Sequence, residues 1–89
     1  MIKDSYGNAR FYGVYRGKVY DSVDPLGYKR LRLTIPQILA NQPTQWAWPV
    51  EKYGVETLVP KNGQGVWVMF EGGDPSYPIW LGVFGNEVE

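Results

Sequence analysis

The last third of the chain contains two apolar runs, residues 66–70 and 79–84, on either side of the turn sequence Gly72-Gly73-Asp74-Pro75. The glycines can adopt positive φ and the proline fixes its own φ, so the sequence predicts a tight reversal and a β-hairpin. Both runs are apolar at odd and even positions alike. Because successive side chains of a strand point to opposite faces, this hairpin needs cover on both faces. The domain's own core can cover one face, and we predict that a partner covers the other.

The period of two divides these residues into two sets. The inward set is predicted to be Val66, Val68, Phe70, Ile79 and Leu81. The outward set, predicted to meet a neighbouring chain, is Trp67, Met69, Trp80 and Phe84, since aromatic residues and methionine are enriched at interfaces.

Size and composition limit the functions open to the chain. Its 89 residues predict a single domain over 1–89, with an N-terminal arm over about 1–10 and a barrel over about 11–85. It has no Cys and no His, which removes disulfides, thiolate chemistry and the commonest general base and metal ligand. We therefore predict no enzyme activity, no catalytic residues, no metal and no cofactor. No apolar stretch reaches the roughly 20 residues that span a bilayer, so we expect a soluble, cytoplasmically made protein without stable membrane insertion.

Charge is zero overall but unevenly distributed. Residues 1–45 carry seven basic and three acidic side chains, whereas residues 46–89 carry two basic and six acidic ones, so the halves are +4 and −4. Such asymmetry can let copies dock head to tail or attract a charged partner, although pairing within the domain is an equal alternative. Arg30 and Arg32, on the outer face of the second predicted strand, are predicted to lie at such an interface.

The rest of the sequence favours an all-β fold. Residues 11–20 predict a first strand interrupted by two glycines, and residues 29–35 alternate cleanly, with Leu31, Leu33 and Ile35 on one face. Residues 37–41 predict one helical turn after Pro36. Residues 45–49 and 56–60 predict short extended pieces, the first with Trp46 and Trp48 on the same side. Five or six short strands with strand-bending glycines favour a small closed barrel.

An ordered series of short motifs resembles a known family. The series includes Gly17-Lys18-Val19, Asp24-Pro25-Leu26-Gly27, Arg30-Leu31-Arg32-Leu33-Thr34-Ile35-Pro36, Phe70-Glu71-Gly72-Gly73-Asp74-Pro75 and Pro78-Ile79-Trp80-Leu81-Gly82. It resembles the OB-fold domain of contractile-tail hub and spike proteins, a group that includes the N-terminal domain of phage tail-lysozyme hubs, the baseplate assembly protein V group and type VI secretion spikes. The resemblance runs from about residue 12 to residue 85.

The resemblance implies both a fold and a role. The fold would be a five- to six-stranded OB-fold barrel with one short helical turn. The role would be that of a structural component of a phage tail baseplate, a homotrimeric adaptor ring that joins the tail hub protein to a separate spike or tip protein. The protein would be found in the virion tail baseplate after assembly in the host cytoplasm. Because the chain stops at Glu89, we expect the spike and any cell-wall hydrolysis to belong to other chains.

The alternative is a single-stranded nucleic-acid-binding OB module, or one for a carbohydrate or protein ligand. OB-folds bind single strands with stacked aromatics in a basic groove, and Arg16, Lys18, Arg30 and Arg32 can lie together on the first hairpin. The neutral total charge and the acidic second half count against a polyanionic partner. No nucleic acid is therefore predicted as a partner.

Overall fold

The structure is a computed structural model that describes residues 2–85. Most of its regular structure is β-strand, joined by one short helix and one 3₁₀ turn. In chain order the elements are β1 (Ile2–Lys3), β2 (Ala9–Arg10), β3 (Tyr15–Asp21), β4 (Arg32–Thr34), α1 (Pro36–Leu39), β5 (Trp48–Pro49), β6 (Gly65–Phe70), the 3₁₀ turn (Glu71–Gly73) and β7 (Pro78–Val83).

Five strands form one curled sheet in the order β4-β3-β6-β7-β5, and β1 and β2 form a separate two-stranded sheet. Neighbouring strands of the large sheet are antiparallel except β5 and β7, which are parallel. Its two edges meet just before β4 and β5, where Leu31 and Ala47 exchange backbone hydrogen bonds of 3.0 and 2.6 Å. This small curled sheet confirms the predicted all-β, OB-like fold.

The interior is filled by alternate residues of the strands. Leu31, Leu33 and Ile35 are fully buried, which confirms the face predicted from their alternation. The other buried apolar residues of the core are Val19, Ala47, Val66, Val68, Phe70 and Trp80. The buried Thr44 hydroxyl accepts a hydrogen bond from the Leu33 N–H and donates to the Gln45 carbonyl, so its polar atom is satisfied inside the core.

The predicted final hairpin is present as β6 and β7. Gly72 and Gly73 have φ of 60° and 78°, so the turn uses both glycines in the left-handed region, as predicted. The register pairs Phe70 with Pro78 and Val68 with Trp80, and directly opposed residues share a face. Pro78 and Trp80 therefore point inward with Val68 and Phe70.

This register corrects the predicted faces of β7. Trp80 is 4% exposed and lies in the core, so its predicted place at an interface is wrong. Ile79 lies opposite the outward Met69, and its predicted inward position is wrong as well. A bulge between Trp67 and Val68 leaves Leu81 as the extra, half-buried residue of β7. Because these residues are all apolar, the hydrophobic pattern does not decide which of them point inward. The register set by the β6–β7 turn decides it.

Other differences from the sequence predictions are local. β3 begins at Tyr15, because Gly13 has a φ of 105° that interrupts an extended strand. The N-terminal arm contains the β1–β2 hairpin, and the Phe11 N–H donates to the Gly73 carbonyl. Residues 56–60 form no strand, whereas the predicted helical turn is present as α1.

Candidate interaction surfaces

The outer side of β6 and its neighbours carries a row of apolar side chains. Trp67 and Met69 alternate with the buried residues of β6 and point outward, as predicted, with Met69 38% exposed. Ile79 lies opposite Met69, and Trp48 lies beside Ile79 in the parallel pair. Met69, Ile79 and Trp48 thus form one line across three strands, which we call the outer row. Tyr28 stacks on Trp48 with ring centres 5.6 Å apart, and Trp48 is still 51% exposed.

An arginine lies against two aromatic rings next to the outer row. Arg16 is opposite Trp67, and its guanidinium carbon is 5.2 Å from the centre of the Trp67 ring and 5.4 Å from that of Phe84. The two rings are 4.9 Å apart. A Cβ at Gly65 would come within 2.6 Å of Phe84, so the glycine is what lets this ring lie against β6. We call Arg16, Trp67 and Phe84 the Arg16 stack.

Arg30 is enclosed by its own domain. Its Nε and one terminal nitrogen donate to the two carboxylate oxygens of Asp24, at 2.8 and 2.9 Å. Its guanidinium carbon also lies 5.3 to 5.6 Å from the ring centres of Trp48, Tyr28 and Trp46. The Arg30 side chain is 14% exposed and its charge is paired. Arg30 is therefore already paired within the domain, and its place at an interface stays a prediction.

The electrostatics of Asp24 follow from this pairing. Hydrogen bonds from Arg30 hold the pKa of the Asp24 carboxyl far below its usual value, and the backbone N–H groups of Leu26 and Tyr28 lower the pKa further. Arg30 has a raised pKa, mainly because of the same hydrogen bonds. An aspartate that precedes Pro and Gly, as Asp24 does, commonly accepts backbone hydrogen bonds at the start of a turn, and this is the signal by which the sequence could have identified it.

Arg32 remains closer to the predicted arrangement. Its Nε donates to the Thr44 carbonyl at 3.2 Å, and its guanidinium carbon lies 5.5 Å from the centre of the half-exposed Tyr20 ring. Within residues 2–85 its guanidinium has no acidic partner. The structure thus separates Arg30, Arg32 and the Arg16 stack into three arginine–aromatic contacts, where the sequence suggested one basic face.

A surface depression lies beside the β6–β7 turn. It has a volume of about 420 Å³ and is lined by Arg10, Glu71, Gly72, Asp74 and Tyr77. Arg10 is paired with Asp4 at 2.6 Å and with Asp74 at 3.1 Å, so these groups tie the N-terminal hairpin to the β6–β7 turn. In the part of the chain that the structure describes, no cluster of side chains suits a metal ion.

Comparison with known families assigns the fold. Residues 15–84 match the family described as the type VI secretion system/phage-baseplate injector OB domain, over well more than half of the chain. The chain belongs to this family. The resemblance inferred from its motifs is thereby confirmed, and this injector OB domain has a structural role in a baseplate or spike. Comparison with curated proteins gave no match.

The family also bears on the remaining predictions. Baseplate OB domains are structural, which agrees in general terms with a non-enzymatic tail component. No helix among residues 2–85 of this injector OB domain is long and apolar enough to cross a membrane. Of the predicted interface residues, Trp67, Met69 and Phe84 lie together on the outer side of the sheet, Trp80 is in the core, and Arg30 is internally paired.

Proposed function

We propose that this injector OB domain is an adaptor of a contractile-tail baseplate. Three copies form a ring that joins the tail hub protein to a separate spike or tip protein, and the ring is part of the virion after assembly in the host cytoplasm. The family match carries this proposal. The role requires surfaces for neighbours and no chemistry, and the outer row offers such a surface.

The outer row supports a protein contact for a physical reason. Trp48, Ile79, Met69 and the neighbouring Trp67 lie side by side on the barrel exterior, and contiguous exposed apolar surface marks protein contacts more often than isolated exposed residues do. The row runs from the central strand β6 to the edge strand β5, and the charged Arg16 lies opposite the neighbouring Trp67. This arrangement resembles the apolar centre and polar rim of protein interfaces.

The experiment compares Met69→Glu with Val23→Glu, which makes the same change at a 76% exposed position in the β3–β4 loop. Binding to candidate hub proteins is measured by pull-down and by molecular mass. We expect Met69→Glu to fold normally and to weaken hub binding about tenfold or more, because it buries a charge in an apolar contact, while Val23→Glu binds as the unaltered protein does. Equal hub binding by all three proteins would contradict the role of the outer row.

A further inference from the structure

The segment after β5, residues 50–60, is unusually exposed for its apolar content, and we call it the exposed loop. Tyr53 is fully exposed and Leu58 is 82% exposed, and Val50 and Val55 are each more than half exposed. The Val50 N–H donates to the Trp80 carbonyl and the Val55 N–H to the Lys52 carbonyl, so the loop has defined anchoring points. Apolar side chains concentrated on one exposed loop mark a surface that another molecule covers.

A second surface has the opposite character. A groove of about 270 Å³ runs beside β3 and is lined by Arg16, Gly17, Lys18, Thr34, Pro36 and Phe84. We call it the basic groove. No residue of the exposed loop is among its lining residues, so the two surfaces do not overlap. Its floor is partly apolar and its rim carries two cations.

The charges of the two surfaces are complementary. Arg10 and Arg30 are neutralised internally by aspartates, whereas Arg16 and Lys18 form no ion pair within residues 2–85. The exposed loop carries Glu51, Lys52 and Glu56, a net charge of −1 against +2 at the groove. The opposite charges of the two halves of the sequence are thus also present in the folded domain, at the basic groove and at the exposed loop. Complementary potentials fix the register and orientation of a contact.

We propose that the exposed loop of one copy docks in the basic groove of the next copy. Apolar side chains of the loop would cover the aliphatic and aromatic floor, and its glutamates would meet Arg16 and Lys18. Because the two surfaces differ, the contact is heterologous, and repetition around a rotation axis closes a ring. The inference rests on the proposed ring and specifies how its copies meet.

Charge reversal provides a sharp test. One variant carries Arg16→Glu with Lys18→Glu, a second carries Glu51→Lys with Glu56→Lys, and a third carries all four changes. Molecular mass is measured over a concentration series by sedimentation at low salt, against a protomer of 10.2 kDa. We expect each two-residue variant to lower the association constant about tenfold or more, and the four-residue variant to restore it, since the reversed charges again attract.

Mixing the two two-residue variants provides a second test. An equimolar mixture of the two two-residue variants has opposite charges at every junction between different variants, so association is expected to return. A ring of three copies must keep one junction between identical variants, where the charges repel, so the mixture is expected to form pairs and open assemblies rather than closed three-copy rings. Leu58→Ser tests the apolar part of the contact and is expected to weaken association without lowering the melting temperature. The matched controls are Lys3→Glu and Glu71→Lys, both exposed and outside the loop and the groove.

Several outcomes would overturn the inference. An unaltered protein that stays monomeric at every concentration would do so, as would a four-residue variant no better than the two-residue ones. Charge reversal that abolishes hub binding but leaves the mass of the ring unchanged would assign the groove to the hub instead. The hub pull-down of the unaltered protein is scored separately, so loss of the copy-to-copy contact and loss of the adaptor role are distinguishable.

Discussion

Arginine side chains at three positions lie over aromatic rings in this domain, but they differ in what balances their charge. Arg30 has Asp24 as a partner, whereas Arg16 and Arg32 have only rings and backbone groups within residues 2–85. An arginine–ring contact is worth about 0.5 to 1 kcal/mol at an exposed site and leaves the cation available to a second group. Arg16 and Arg32 can thus be both packed and available, while Arg30 is committed to the fold.

Asp24 gives a prediction for acid stability. Its pKa is lowered on folding from an ordinary value of 3.8, so its contribution to the free energy of unfolding is complete above that pH and is lost as the pH falls toward the folded pKa. We expect Asp24→Asn to have a lower melting temperature near neutral pH and a shallower loss on acidification between about pH 5 and pH 2. Because the pKa values of Asp4 and Asp74 are also lowered, the melting temperature of Asp24→Asn is still expected to fall to some extent with falling pH.

The measurement is the melting temperature of both proteins across that pH range by circular dichroism. Asp21→Asn is the matched control, because it removes a carboxylate from the same hairpin that has no cation partner within residues 2–85. Parallel pH curves for the original protein and Asp24→Asn would show that the Asp24–Arg30 pair does not contribute to acid sensitivity.

Adjacent residues on β6 are predicted to respond in opposite ways. Phe70 is 5% exposed and its ring lies 5.8 Å from Tyr15 and 6.2 Å from Phe11. Phe70→Ala is expected to lower the free energy of unfolding by about 3 to 5 kcal/mol through the cavity it leaves. Met69→Glu, at an outward position, is expected to change it by less than about 0.5 kcal/mol in the isolated chain. Urea denaturation measures both, and a larger loss for Met69→Glu would invert the assigned faces of β6.

At the scale of elements, the presence of most strands could be predicted from the sequence more reliably than which of their residues point inward. The clean alternation of Leu31, Leu33 and Ile35 predicts one buried face, since the intervening residues are polar. β7 has apolar residues on both faces, so periodicity could not choose between Ile79 and Trp80. The seven residues between Phe70 and Pro78 set the phase, and turn geometry of that length has no simple sequence signature.

The candidate surfaces were predictable where they depend on strand alternation and not where they depend on contacts between distant residues. Trp67 and Met69 were placed outward correctly because β6 continues its alternation without interruption to the turn. The enclosure of Arg30 depends on contacts between residues up to 18 apart in sequence, from Arg30 to Trp48, which no local pattern encodes. The exposed loop was misread as partly extended because residues 56–60 combine Val59 and Leu58 with polar neighbours, as strands do.

Two glycines on neighbouring strands provide an element-scale prediction. A methyl group at Gly65 would meet the Phe84 ring at 2.6 Å, whereas one at Gly82 would meet nothing within 4 Å. Gly65→Ala is therefore expected to displace Phe84 from Trp67 and so to change the tryptophan fluorescence of the protein. It is also expected to lower the free energy of unfolding by about 1 to 3 kcal/mol through overpacking. Gly82→Ala is expected to leave both unchanged. Identical fluorescence and stability for the two variants would mean that Phe84 does not lie over β6.

At the scale of the whole molecule, folding redistributes a chain of zero net charge into separate patches. Asp4, Asp24 and Asp74 are used in internal ion pairs with Arg10 and Arg30. Arg16 and Lys18 on β3 and Arg32 on β4 have no ion pair within residues 2–85, and Glu51 and Glu56 lie on the exposed loop. A domain with such a surface has a dipolar field that orients neighbours without attracting polyanions in general.

This charge distribution predicts how the domain responds to nucleic acid. Single-strand binding by an OB-fold requires a continuous basic track with exposed rings for base stacking, and its affinity comes mainly from neutralised phosphates. Here Arg30 is already paired with Asp24, and the remaining cations are balanced by acidic groups elsewhere on a chain of net charge zero. We expect only weak, salt-sensitive association with oligothymidylate in fluorescence-anisotropy titrations at physiological salt, which Arg32→Glu and Lys3→Glu weaken to the same small extent. Sub-micromolar affinity that Arg32→Glu abolishes and Lys3→Glu leaves intact would instead favour a nucleic-acid-binding OB module over the adaptor ring.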